Sequence, residues 1–294
     1  MIEPFPQPVA HTQKPRHRQQ RWLALACISM VTTLSMAFAV YALPVRVERG
    51  LSVRQRQGEV MVLRPSGSAP AAVGDRLDAI GDGLRTGTRS AAVLEVDTDV
   101  GFLDVSERTE LRIRTLEMAA DGGRITHLSV PRGQVRTRLR RFTNQGSQFE
   151  IETPAGISGV RGTEFGVSVQ EDGKTGIATL TGAVDTMAVG ETVAVPAGFQ
   201  NLIWPGEPPT QPVPLRNDPG LEYERRVIFD NNTRYVTLTG RVDPVNTVFV
   251  DGAPQTVDRQ GEFRLTRLAT ARLRVEVVVI TPLGRQETHE IYLL

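Results

Sequence analysis

The sequence predicts a mainly β protein, on three observations. Short runs of alternating apolar and polar residues recur through the chain after residue 50, each of strand length. Gly, Asp, Asn and Ser separate these runs, and Asp172-Gly173 and Gly190-Glu191 stand where tight hairpins need a positive φ. No stretch between residue 50 and Pro205 carries a convincing helical period.

Taken in order, the chain opens on a basic tail, residues 1–21, with Lys14, Arg16, Arg18 and Arg21. An uncharged apolar stretch follows from Trp22 to Leu43, long enough to cross a bilayer as a helix. Positive charge ahead of it predicts a cytoplasmic tail and export of everything beyond Leu43. The stretch reads as a membrane anchor or a signal peptide. Small residues at Ala37, Ala39 and Ala42 would suit cleavage, whereas the length favours an uncleaved span.

The next expected unit is residues 50–204, where "GEVMVL", "AAVLEVD", "TELRIRTL", "GQVRTRLRRF", "SQFEIET", "EFGVSV", "GIATLTG", "AVDTMAV" and "TVAVPAG" each have strand length. Six prolines between Pro205 and Pro219 then predict a semi-rigid spacer over residues 205–220 and a domain boundary. Beyond it, "LEYERRVIF" reads as a brief helix. The rest of residues 221–294 alternates again, with strands spaced as in a small antiparallel sandwich.

Composition narrows the chemistry. With 34 Lys plus Arg against 33 Asp plus Glu, no global field gathers nucleic acid, and aromatic residues at 5% leave little for base stacking. The one cysteine, Cys27, lies in the apolar stretch and excludes an internal disulfide or a multi-thiolate metal site. Of four histidines, His11 and His17 lie in the tail, so His127 and His289 would have to meet across different domains to share a metal. No phosphate-cradling glycine loop and no EF-hand spacing occur, and "GISGV" misplaces the second glycine of a nucleophile elbow. The expectation is a protein without catalytic, cofactor-binding or metal-binding residues.

One charge pattern stands out. Arg136, Arg138 and Arg140 alternate with Val135, Thr137 and Leu139, and "ELRIRTL" repeats the pattern with Arg112 and Arg114. Adjacent strands would gather these arginines on one face. Two readings stand: an interaction surface for an anionic partner, or a surface offset by Glu150 and Glu152 from a neighbouring strand.

Other segments carry a family resemblance. "VGDRL" at Val73–Leu77, "GDGLRTGTRSAAVLEVD" at Gly81–Asp97, "SERTELRI" at Ser106–Ile113 and "RGQVR" at Arg132–Arg136 come in order. "FEIETPAGISGVRGTEFGVSV" at Phe149–Val169 follows, then "GAVDT" and "VPAGFQ". Together they resemble the FecR family of extracytoplasmic domains over roughly residues 50–205. The resemblance implies a β-rich, solenoid-like domain used for interaction and signalling in the cell envelope, without catalysis.

From the residues themselves, Gly159 and Gly162 bracket a tight bend. Arg161 and Glu164 are its polar members, and Thr163 and Phe165 enter a new strand. The bend reads as structural, with recognition as the alternative. The tail lacks the helical anti-sigma segment of family sensors, and "VTLTGRVDPVNTVFVDGAPQTVDRQGEFRL" resembles a bacterial immunoglobulin-like module instead.

The expectation from sequence is therefore a periplasmic or envelope protein, held in the inner membrane by its N-terminal helix if uncleaved. It acts as an interaction or sensing module on an envelope protein or an anionic envelope glycan, with no nucleic acid partner. Two alternatives remain: a transmembrane regulator acting on a sigma factor, and a glycan-binding or carbohydrate-active accessory protein.

Overall fold

The computed structural model describes residues 49–269 and 273–293. The expected tail, 1–21, and apolar span, 22–43, lie outside the described residues. Val47–Leu294 form one compact unit. Among the described residues the structure is built of strands and turns, without a helix.

The first part of the chain contributes β1 (Leu51–Gln57), β2 (Val60–Arg64), β3 (Gly67–Pro70), β4 (Arg76–Leu77), β5 (Gly83–Thr86), β6 (Ala91–Val96), β7 (Gly101–Val105), β8 (Glu110–Met118) and β9 (Arg124–Leu139). It continues through β10 (Gln148–Glu152), β11 (Ile157–Val160), β12 (Glu164–Val169), β13 (Thr175–Thr181), β14 (Ala183–Ala188), β15 (Glu191–Pro196), β16 (Phe199–Ile203) and β17 (Val213–Pro214). Two sheets result. One runs β4-β1-β6-β7-β9-β12-β13-β16-β17. The other runs β3-β2-β5-β8-β9-β10-β11-β14-β15.

Strand β9 belongs to both sheets. Its first half pairs with β8 and β10, its second half with β7 and β12. Pro131, which has no ladder donor, and Gly133, at φ +90°, mark the crossing. A Cβ on Gly133 would stand 2.4 Å from the Thr109 Cα, so only glycine lets the strand bend there. Leu128 and Val130 before the bend, and Val135 and Leu139 after it, all enter one core between the sheets. That core also holds Leu94, Leu103, Ile113, Phe149, Ile151, Phe165 and Val167.

Every ladder in this part is antiparallel except β9–β10. The layers therefore advance largely by hairpins and sheet changes, in place of the coil-on-coil repetition implied by a solenoid-like domain. The hairpin expected at Asp172-Gly173 joins β12 to β13, with Gly173 at φ +83°. The turn near Gly190 falls one residue earlier than read, on Val189 and Gly190, and joins β14 to β15.

The second part contributes β18 (Glu222–Asp230), β19 (Thr233–Arg241), β20 (Thr247–Val250), β21 (Ala253–Gln255), β22 (Glu262–Leu268), β23 (Arg274–Ile280) and β24 (Gln286–Tyr292). They form a sheet β18-β19-β22 facing a sheet β21-β20-β23-β24. Val236, Leu238, Val248, Phe263, Val277 and Ile291 fill the core between them. The brief helix expected over "LEYERRVIF" is instead β18. Asn231 and Asn232, at φ +42° and +61°, turn the chain tightly enough to lay Val227 opposite Val236.

The proline-rich segment, expected as a semi-rigid spacer, is tied down on both sides. Val213–Pro214 adds a short strand to β16, Thr210 N–H donates to the Leu202 carbonyl at 2.9 Å, and Leu215 N–H donates to that of Gly198 at 2.8 Å. From the other side, Asn246 Nδ2 donates to the Asp218 carbonyl at 2.8 Å and Arg259 pairs with Glu207 at 2.5 Å.

Candidate functional site

The arginines do not form one face. Arg112 and Arg114 sit on β8, which pairs with the first half of β9, whereas Arg136 and Arg138 sit on its second half, in the other sheet. Each of the four has a carboxylate. Arg112 pairs with Glu110 at 3.0 Å, Arg114 with Glu152 at 3.7 Å, and Arg138 with Asp104 at 2.8 Å. Arg136 pairs with Glu164. Charge offsetting is thus present, with partners other than the expected pair Glu150 and Glu152 for all but Arg114. Glu150 faces His127 at 3.2 Å, because β10 runs parallel to the first half of β9.

Arg140 is different. It lies just past the end of β9, exposed, and among the described residues neither it nor its neighbour Arg141 has a carboxylate partner. Both line a cleft of about 320 Å³ between the ends of the two sheets, together with Arg124, Thr126, Thr143, Asn144, Ser147 and Gln148. Arg141 also lines an adjoining hollow of about 640 Å³ that reaches Glu150, Arg161 and Asp185. The acid within the first cleft, Asp97, is already engaged. It accepts from Arg49 Nε at 3.0 Å and from Gly50 N–H at 2.8 Å, with Arg124 Nη1 at 3.7 Å. That Arg124 nitrogen is buried and has no hydrogen-bond acceptor.

The glycine bend seats this pair. Residues 161–163 carry the chain from β11 in one sheet to β12 in the other. Gly162 holds φ +113°, and a Cβ there would stand 2.2 Å from the Arg141 Cα. The backbone of the arginine pair therefore lies directly against the bend. Phe142 N–H donates to the Arg161 carbonyl at 3.1 Å, and Leu139 N–H to the buried Thr163 at 3.0 Å. Arg161 itself donates to the Gln145 carbonyl at 2.5 Å, and Phe165 is fully inside the core. Gly159 meets nothing closer than 3.8 Å and needs no glycine for space.

The loop beside the arginines is tied as well. Asp121 accepts from Gly123 N–H at 3.0 Å and Gly146 N–H at 2.8 Å, and these backbone donors hold its carboxyl below the usual carboxylate range. Arg141 was missed in the strand reading because it breaks the alternation. Two successive arginines cannot lie on one face of a strand, and that doubling was the available signal.

A second feature invisible to the charge pattern covers the outer face of the first sheet. Gln134 Nε2 donates to the Thr281 carbonyl at 2.7 Å, Ser168 Oγ to that of Val245 at 2.8 Å, and Gln170 Nε2 to that of Asn246 at 2.9 Å. Arg136 Nη1 reaches the Leu283 carbonyl at 3.3 Å. Gly166 lies so close that a Cβ would fall 1.9 Å from the Pro282 oxygen. Lys174, 1% exposed, donates to the Val257 carbonyl at 2.5 Å, and burial pulls its ammonium down to about 8 despite Asp172 and Asp258 nearby. The second sandwich thus seats on the first through polar side chains that find carbonyl acceptors, with Arg136 Nε a buried donor left without one among the described residues. Among the described residues no group of three potential metal ligands gathers.

Residues 82–185 match the model of the FecR protein family, and the chain carries a FecR domain there. The region contains the second half of β9, the Gly162 bend and the arginine pair. No curated protein matches the chain. Two crystal structures of a candidate anti-sigma factor from Parabacteroides distasonis ATCC 8503 are similar, at 18% identity and a TM-score of 0.37, over 47% of this chain. This chain spans 65% of the length of those proteins.

Proposed function

We propose that this protein is a non-enzymatic interaction and sensing module of the cell envelope, taking an anionic group of an envelope protein or glycan between Arg140 and Arg141. One observation carries the reading. On a surface where Arg112, Arg114, Arg136 and Arg138 are each offset by an acid, the bend at Gly162 seats two arginines with no acid of their own over a cleft. Guanidinium forks suit phosphate and carboxylate oxygens, and Arg124 Nη1 adds a buried donor without an acceptor. In this reading residues 22–43 anchor the chain in the inner membrane and residues 221–294 are an immunoglobulin-like spacer fixed against the FecR domain.

A photo-crosslinking residue at Thr143, which lines the cleft and is exposed, tests this in intact cells. The expected adduct is an envelope component whose capture is lost in the Arg140→Gln/Arg141→Gln variant. Equal capture by that variant contradicts the reading.

The FecR match favours a second reading, a transmembrane regulator in which occupancy of the exported part is relayed to the tail. It predicts that residues 1–21 retain a sigma factor or another cytoplasmic regulator in a pull-down. An accessory protein of glycan metabolism would instead lose polysaccharide retention when residues 220–294 are removed.

A further inference from the structure

Strand β18 is an open edge. It pairs with β19 alone among the described residues, and all nine of its residues are exposed. Phe229 is 75% exposed, Tyr223 52% and Val227 43%. Among the described residues this edge has no proline, bulge or covering loop, and its charges are of both signs, so it is a template for a strand of matching charge rather than for any strand.

Its backbone fixes which groups are free. The two-residue turn at Asn231-Asn232 closes on the pair Asp230 and Thr233, so the even-numbered residues of β18 bond to β19. Tyr223, Arg225, Val227 and Phe229 then direct their N–H and C=O groups outward. A second copy of the same strand, antiparallel and centred on Arg225, satisfies these groups pairwise. Tyr223 falls opposite Val227, and Leu221 opposite Phe229. On the other face Glu224 and Arg226, already paired with each other within one strand at 2.9 Å, meet Arg226 and Glu224 of the second copy, so the four side chains form one cluster of alternating charge across the axis. Shifting the centre by one residue in either direction sets Glu224 against Glu224 or Arg226 against Arg226. The two Arg225 side chains meet at the axis, and each is drawn to its own Tyr292 carbonyl.

We infer that two copies of the chain associate through β18 in this register, joining the two three-stranded sheets into one of six strands. Single cysteines in the full chain with Cys27→Ser test it in membranes under oxidising conditions. Residue 225 faces itself across the axis at about 5.5 Å between Cα atoms, within disulfide range, whereas two copies of residue 229 would be roughly 25 Å apart. Arg225→Cys is expected to give a crosslinked dimer and Phe229→Cys none. In sedimentation of the full chain without cysteine substitutions, Arg226→Glu is expected to weaken the dimer about tenfold, and Glu224→Arg/Arg226→Glu to restore it, since the swap rebuilds both pairs. A monomer throughout, equal crosslinking at both positions, or failure of the double swap to recover association overturns the inference.

Discussion

Two regions fed by the same strand behave oppositely. Where β9 lies in the first sheet, Gln134 and Arg136 point into a face sealed by the second sandwich, and Gln134 Nε2 and both terminal nitrogens of Arg136 find carbonyls and a carboxylate there. A few residues later the strand has ended, and Arg140 and Arg141 stand over a cleft with no acid of their own among the described residues. The contrast teaches that arginine content alone says little about recognition. An arginine within a ladder acquires an acid on its own or a nearby strand, and one just beyond the last ladder residue is available to something else.

The largest expected effect comes from the bend that seats the open side. Gly162→Ala places a Cβ 2.2 Å from the Arg141 Cα at φ +113°. It should cost on the order of 3 kcal/mol in denaturant unfolding and abolish binding together with it.

On the sealed side, Lys174 offers a pH test. Its value is depressed from 10.5 to about 8, so below pH 8 the fold carries a buried ammonium at a penalty, which is relieved as pH rises from about 8 towards 10.5. Stability of the wild type relative to Lys174→Met should therefore rise by about 2–3 kcal/mol between pH 7 and pH 10, measured by urea unfolding of both proteins. A flat difference would mean that the ammonium is not held away from water.

Gly166→Ala should loosen the same seam by about 1–3 kcal/mol, because the new methyl meets the Pro282 oxygen at 1.9 Å. Faster proteolysis within residues 205–220 would report it. Binding at the arginine pair should survive. The smallest effect belongs to Arg138→Gln, which removes a half-exposed pair with Asp104 and should cost about 0.5 kcal/mol with binding unchanged.

Much of this architecture was legible in residue order. Period-two alternation located the strands; the turn expected between Gly159 and Gly162 falls instead on residues 161–163, with Gly159 inside β11. Alternation shows that a strand has two faces and is silent on what covers each. "EFGVSV" illustrates the loss: Phe165, Val167 and Val169 enter the core, while Gly166 and Ser168 face the second sandwich, so five of its six residues are buried. Small residues on the alternate positions were the sign of that close approach. The division of β9 between two sheets was equally hidden, since the alternation was read only from Gly133 onward and only the ladders show one continuous strand through Pro131 and Gly133. The arginines split between sheets for that reason. β18 was misread because a run of Glu, Arg and apolar residues is compatible with either element until Asn231-Asn232 folds it back on β19.

The most direct test sets the two arginine pairs against each other. Detergent-solubilised full chain is bound to the anionic polysaccharide and protein fractions of the envelope at low and high salt, as wild type, as Arg136→Gln/Arg138→Gln and as Arg140→Gln/Arg141→Gln. Salt-sensitive retention should persist in the first variant and fall at least about tenfold in the second, whose unfolding stability should stay within about 0.5 kcal/mol of wild type. Retention that survives loss of Arg140 and Arg141, or disappears equally in both variants, would contradict the account.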